Sequence, residues 1–302
     1  NAVAYWNELL AFPTYFPVRE DVVANEAWAT DASTYICNGA YTISAWEHDS
    51  VINLAKNENY WDAENVFIEK VSGKYNAQAD AIAPEMYLRG EIDECNVTTA
   101  ILDDWMAGEN ADFVHTTMPT GFVQYMLLCF NQKHEDEVAG GYYDMAVNNK
   151  NFRKAIYHGI DYLYCLSAYD PYTPEAIAQS RLMPTGFCVT DGKDYNEFGS
   201  ATAFNEIPFD EAKALDYKAK AVAELTAAGA TFPIKAPVNY NPSSSAWGNA
   251  SVVLEQQLEG LLGADFIDII VVEYAGTSFL NETRRNGNYA LQELNWGADF
   301  MD

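Results

Sequence analysis

Several catalytic signatures are missing from this sequence. It contains no GxSxG elbow, no GxxxxGK[ST] phosphate loop, no HExxH helix and no GxGxxG turn after a strand. Their absence removes the elbow-type hydrolases, the P-loop nucleotide enzymes, the zincin proteases and the dinucleotide enzymes that need those backbone shapes. Basic residues are also scarce, with 17 Lys and Arg against 44 Asp and Glu and a formal charge of -27. Such a chain repels a phosphate backbone or an anionic lipid surface, so nucleic acid is not an expected partner. The acids are spread along the chain, as on a solvated acidic surface. The five cysteines form no CxxC pair, which argues against a structural zinc site. They fit one or two disulfides, with Cys165 and Cys188 at a workable separation, or equally buried free thiols. No apolar run reaches the roughly 18 residues of a membrane span. The first residues, Asn1 to Trp6, carry neither the basic nor the apolar region of a signal peptide, which fits a cytosolic chain or one whose leader has been removed.

The remaining chemistry is sparse. His48, His115, His134 and His158 are scattered over unrelated contexts, and a lone histidine is more often structural than catalytic. A glycosidase needs only two carboxylates, but no pair among the acids stands out. No catalytic residue, metal or cofactor is expected. Aromatic residues, by contrast, make up 14% of the chain, with 20 tyrosines. They suit either a large core or a cleft that offers apolar area and hydroxyl groups together.

Local patterns give an α/β chain of about two domains. Asn38-Gly39 signals a turn. Ala40–Trp46 and Val51–Ala55, separated by polar Glu47–Ser50, read as a β-hairpin. Val66–Val71 reads as a further strand. Helical spacing starts near Asn76 and stops at Arg89-Gly90, after which Glu91–Asp93 suits a strand. Phe122–Asn131 reads as a long apolar strand able to bridge two lobes. In the second half, Phe152, Ala155, Ile156, Gly159, Ile160 and Leu163 form one helical stripe. Asp210 opens a second helix that stops at Ala228-Gly229, and a third runs to Gly263 after a serine cluster that offers an N-cap. Ile234–Tyr240 and Ile267–Val272 are strands between them.

Near the end, Trp296 and Asp299 stand three residues apart in Trp296-Gly297-Ala298-Asp299. An indole beside an ionised carboxylate can grip an amine by stacking and a charge-assisted hydrogen bond.

These segments together resemble one family. Asn38-Gly39-Ala40-Tyr41 through Trp46 and Asn57-Glu58-Asn59-Tyr60-Trp61-Asp62 resemble the hairpin and loop of the extracellular solute-binding proteins, family 5, of oligopeptide and dipeptide ABC transporters. Asn131, Asn151-Phe152-Arg153-Lys154-Ala155-Ile156, Phe209-Asp210-Glu211-Ala212 and Tyr289 with Trp296-Gly297-Ala298-Asp299 follow in the family's order. The likeness runs from about Leu9 to Asp302. It implies a periplasmic-binding-protein-like type II fold of the oligopeptide-binding class, truncated at both ends. Residues 1–119 would belong to a first lobe and 120–302 to a second, with 120–131 as crossover strand. The resemblance further implies a non-enzymatic, monomeric component of an ABC importer, extracellular or periplasmic and lipid-anchored. Such a protein captures an oligopeptide between its lobes and delivers it to the permease subunits. An oligosaccharide or another small solute is the alternative ligand. Carried over by motif, Asp299 takes the ligand's α-amino group and Trp296 lines a side-chain pocket, with Tyr125 adding apolar surface. Glu293 departs from expectation, since it offers no positive partner to a ligand carboxylate.

Overall fold

The computed structural model describes residues 5–76, 78–117, 121–133, 141–181, 183–274 and 278–297. Two compact units divide in sequence between Val114 and His115. The first contains helices α1 (Trp6–Leu10) and α2 (Glu20–Val23), strands β1 (Tyr41–Glu47), β2 (Val51–Lys56) and β3 (Lys70–Lys74), and helices α3 (Ala79–Leu88) and α4 (Thr99–Ala107). The three strands form an antiparallel sheet in the order β1-β2-β3. The β1–β2 hairpin turns through Asp49, whose φ of 58° is left-handed, and the Ser50 N–H donates to the Glu47 carbonyl. Asp tolerates that conformation better than bulky residues do, which is why the polar stretch makes the turn. Among the described residues of this unit only Pro84 and Trp105 are fully buried, whereas Trp61 and Phe67 are 84% exposed.

The second unit contains β4 (Phe122–Leu128), α5 (Tyr143–Asn148), α6 (Lys150–Gly159), α7 (Tyr162–Leu166), α8 (Pro174–Ile177), the short β5 (Val189–Thr190) and β6 (Lys193–Asp194), α9 (Glu211–Ala227), β7 (Ile234–Tyr240), α10 (Ser245–Leu262), β8 (Ile267–Glu273) and β9 (Leu291–Gly297). Its main sheet runs β4-β9-β7-β8. β7 is parallel to β8 and to β9, while β4 is antiparallel to β9. The β7–α10–β8 crossover is the connection that parallel neighbours require. β7 is buried along most of its length, Asn239 included.

Each long helix of this unit begins on a side-chain cap. Asn149 accepts from the Phe152 N–H at the head of α6, Asp210 from Lys213 at α9, and Ser244 from Trp247 at α10; each such cap is worth about 1 kcal/mol. α9 ends where Gly229 adopts a φ of 94°. There Ala230 donates to the Leu225 carbonyl and Gly229 to Thr226, a closure that favours a residue without a Cβ. The core gathers Phe152 and Ile156 from α6, Leu225 from α9, Leu254 and Leu258 from α10, and Ile234, Val238, Ile267 and Leu291 from the strands. Ala155, Ala214 and Ala221 are fully buried, small enough to leave room between neighbouring helices.

Some expectations shift. The helix expected through Leu163 is two helices, because Ile160 leaves helical geometry and the Asp161 side chain caps α7 by accepting from the Leu163 N–H. β3 starts at Lys70, later than the Val66–Val71 pattern indicates. Glu91–Asp93 forms no strand. β4 covers Phe122–Leu128 of the expected 120–131 segment, and residue 120 lies outside the described residues.

Phe152 is fully buried and its ring centroid lies 5.6 Å from that of Phe266. Phe152→Ala is expected to cost about 3–5 kcal/mol in urea unfolding. A loss below about 1 kcal/mol would contradict this placement of the core.

Candidate functional site

The site is built on β9, which lies between β4 and β7. Met126 pairs with Glu293, Tyr125 with Leu294 and Val123 with Trp296. Strand alternation therefore puts Tyr125 and Trp296 on one face of the β4–β9 ribbon, and Met126 and Glu293 on the other. Trp296 is 62% exposed. A large aromatic left in water at the end of a sheet's interior strand is available to a ligand. Asp299 lies outside the described residues.

On the Glu293 side a cavity of about 80 Å³ opens within the second unit. β4, β7 and β9 form its sheet side; the end of α6, α7 with the turn after it, and α10 supply the rest. Tyr125 borders the same cavity. The α6–α7 junction is pinned to α10 by a reciprocal pair. The Asp161 N–H donates to Gln257 Oε1 at 3.1 Å, and Gln257 Nε2 donates to the Asp161 carbonyl at 3.3 Å. This fixes α7 and the turn that follows, so that the Tyr169 hydroxyl reaches both oxygens of Glu293, at 3.0 and 2.9 Å.

The electrostatics of the cavity are one-sided. Burial pushes the Glu293 carboxyl above its ordinary pKa, and the hydrogen bond from Tyr169 opposes that rise without cancelling it. Tyr169 itself is driven well up by burial and then by the nearby Glu293 charge. Burial lifts the Cys165 thiol to about 12, with Glu293 and Asp161 adding to the shift, and lifts Tyr162 to about 12. No Lys, Arg or His is among the described residues that line the cavity. Cys165 is therefore a protonated thiol at neutral pH and a poor nucleophile. All five cysteines are free thiols. Among the described residues no three His, Cys, Asp or Glu side chains converge as a metal site, and no helix is long and apolar enough to cross a membrane. The arrangement can hold an apolar group beside a carboxylate.

Motif reading pointed to Trp296 and the strand pattern to Tyr125, and the register places these two on a shared face. It noted Glu293 only as a departure, and it missed Tyr169 and Cys165. The one available signal for those two was the Asp161 cap, which would have split the helix and turned α7 towards β9.

Comparison with known proteins decides the family. The model of the bacterial extracellular solute-binding proteins, family 5 (middle region), matches residues 2–302. The chain belongs to that family. Among curated relatives of this family-5 chain, the dipeptide-binding protein DppE of Bacillus subtilis is 29% identical over 65% of the chain and 33% of its own length. The oligopeptide-binding protein AliA of Streptococcus pneumoniae is 25% identical over 99% of the chain and 50% of its own length. The solved structure of Listeria monocytogenes OppA bound to peptide superposes with a TM-score of 0.66 at 20% identity, covering 99% of the chain and 55% of that structure. The fold is thus that of the oligopeptide-binding class of periplasmic-binding-protein-like proteins, and the chain spans about half the length of such full-coverage relatives.

The raised pKa of Glu293 sets the sign of a pH effect. A carboxyl whose folded pKa exceeds its unfolded value stabilises the fold at low pH, and loses that contribution as pH rises through the folded value. Urea unfolding across that window is expected to show the wild-type protein losing stability relative to Glu293→Gln as pH rises. Parallel curves for the two proteins would contradict a raised Glu293.

Proposed function

We propose that this chain is part of the extracellular solute-binding component of an ABC importer, one that captures oligopeptides between two lobes and hands them to the membrane permease. In this reading Asp299 receives the peptide's α-amino group, Trp296 lines a side-chain pocket and Tyr125 extends the apolar surface. The protein works outside the cytoplasmic membrane as a lipid-anchored monomer, and performs no catalysis.

The observation that carries the reading is the exposed indole of Trp296, on the face it shares with Tyr125 and three residues before Asp299, in a chain of family 5. Relatives named as dipeptide- and oligopeptide-binding proteins support the ligand class. The physics is consistent with it. An ammonium group held by a carboxylate in a site that closes over it makes a strong hydrogen-bonded pair, and main-chain contacts let side chains vary. Closure around a ligand needs only hinge rotation between lobes.

Calorimetry on the complete protein is expected to show peptide binding that Asp299→Ala weakens more than tenfold, the scale of a buried charge losing its partner. Unaltered affinity in the variant would remove the amine anchor. Native mass spectrometry of protein purified from its source is expected to show bound peptide; a bound sugar in its place would move the ligand class.

A further inference from the structure

Among the described residues, the cavity beside β9 is lined by one carboxylate and nothing of opposite charge. Glu293 enters it from β9, the Tyr169 hydroxyl holds both carboxylate oxygens, and the lining has no Lys, Arg or His among the described residues. Buried charges are normally paired. A carboxylate left without a counter-charge in an apolar setting loses hydration and recovers little of it. The rest of the wall is mostly apolar, with Met126, Ile160, Leu166, Val238 and Leu254. A water takes up roughly 30 Å³ of packed volume, so a cavity of about 80 Å³ takes roughly three water-sized groups. That suits the end of one long, thin side chain.

We propose that this cavity is a subsite for a cationic side chain of a bound peptide, of the lysine or arginine type, its methylene stem against the apolar wall and its charged head on Glu293. The proposal rests on the peptide-binding reading above and adds the side-chain class. Long cationic side chains are amphipathic in the same sense as the cavity, with an apolar stem and a charged end. Tyr169 is the positioning residue. It donates to the carboxylate and so fixes the direction in which the remaining lone pairs face.

The titratable groups on the Glu293 side are Tyr169 from the turn after α7, and Tyr162 and Cys165 from α7, while Tyr125 of β4 borders the cavity from the other face of the ribbon. Asp161, at the head of α7, adds to the negative field felt by Cys165. β7 and α10 contribute uncharged side chains to the lining. Every described lining residue from these elements is neutral or acidic, so among them an entering cation meets no competitor. Because burial raises the Glu293 pKa, the empty site retains its proton to higher pH than an exposed glutamate does. Binding of a cation displaces that proton, and affinity strengthens as pH rises through the Glu293 transition.

Two measurements test this separately from peptide binding as such. In the first, the glutamate side-chain carboxyls of the complete protein are labelled with ¹³C and titrated by NMR. The Glu293 signal, identified by its loss in Glu293→Gln, is expected to titrate above the ordinary glutamate range and to move down when n-butylammonium is added, with n-butanol as the neutral control. In the second, calorimetry compares tetra-alanine peptides carrying lysine or norleucine at each position in turn. At one position lysine is expected to bind at least tenfold tighter than norleucine, a preference that collapses towards unity in Glu293→Gln. If n-butylammonium leaves the Glu293 titration where it was, or lysine gains nothing over norleucine at any position while the alanine peptides still bind, the cationic subsite is wrong and the peptide-binding reading survives. If n-butylammonium shifts Glu293 but no peptide binds, the peptide reading falls and takes the side-chain assignment with it. The wild-type NMR arm holds even if Glu293→Gln folds poorly, because n-butanol supplies its control.

Discussion

β9 takes an interior place in the main sheet, antiparallel to β4 on one side and parallel to β7 on the other. Strand alternation then fixes every side chain on it. Leu291 is buried against the core, Glu293 enters the cavity, and Trp296 stands in water on the opposite face from Glu293. A slip of one residue would exchange those two faces and send the indole to the cavity side and the carboxylate away from it. The seven paired positions along β4, from Phe122↔Gly297 to Leu128↔Leu291, hold the register. At Gly297 close packing reinforces it, since a Cβ there would meet the Gly121 carbonyl at 3.0 Å and the Phe122 ring at 3.1 Å.

β9 was also the element least visible in the sequence. Leu291-Gln292-Glu293-Leu294-Asn295-Trp296-Gly297 has no β-branched residue and no regular alternation, so nothing local announces a strand. Its neighbours impose it, and Gln292 is fully buried with Nε2 donating to Thr283 Oγ1. By contrast β7, β8, α9 and α10 were legible, because apolar patterning and the caps Asp210 and Ser244 are written in nearby residues. α4 went unread for a similar reason to β9. Its first turn carries no acidic residue and its cap position, Thr98, makes no side-chain bond. The same division holds for the site. Trp296 was singled out by motif order, which a sequence preserves, and Tyr125 by the apolar strand around it. The Tyr169–Glu293 bond joins residues 124 positions apart, and no local pattern reports such a contact.

Charge accounts for why Glu293 keeps its burden alone. Four of the 17 bases pair with near neighbours in sequence: Arg19 with Asp21, Arg89 with Glu91, Lys213 with Asp210 and Lys220 with Asp216. All are exposed pairs of neighbours in sequence, a kind that contributes little to stability. Lys154 is spent differently, donating to the Tyr217 hydroxyl where α6 meets α9. With a formal charge of -27 the chain has few cations to bring to an interior carboxylate, and the fold brings a phenol instead. A neutral donor leaves the net negative charge of the cavity intact. A lysine in the place of Tyr169 would have cancelled it and closed the site to any cation.

That choice has an energetic direction. A partly buried acid with a raised pKa lowers the stability of the folded protein at neutral pH, and the packed core of α6, α9 and α10 absorbs the loss within the same unit. Replacing Glu293 by an apolar residue of similar volume would restore that stability, as it often does for buried ionic groups. The cavity would then be an apolar pocket that accepts any aliphatic side chain and distinguishes none by charge. Keeping the carboxylate gives up stability in the empty protein for discrimination in the occupied one, since a ligand without a cation leaves Glu293 as poorly solvated as before. Selectivity in this cavity therefore rests on what a wrong ligand fails to supply.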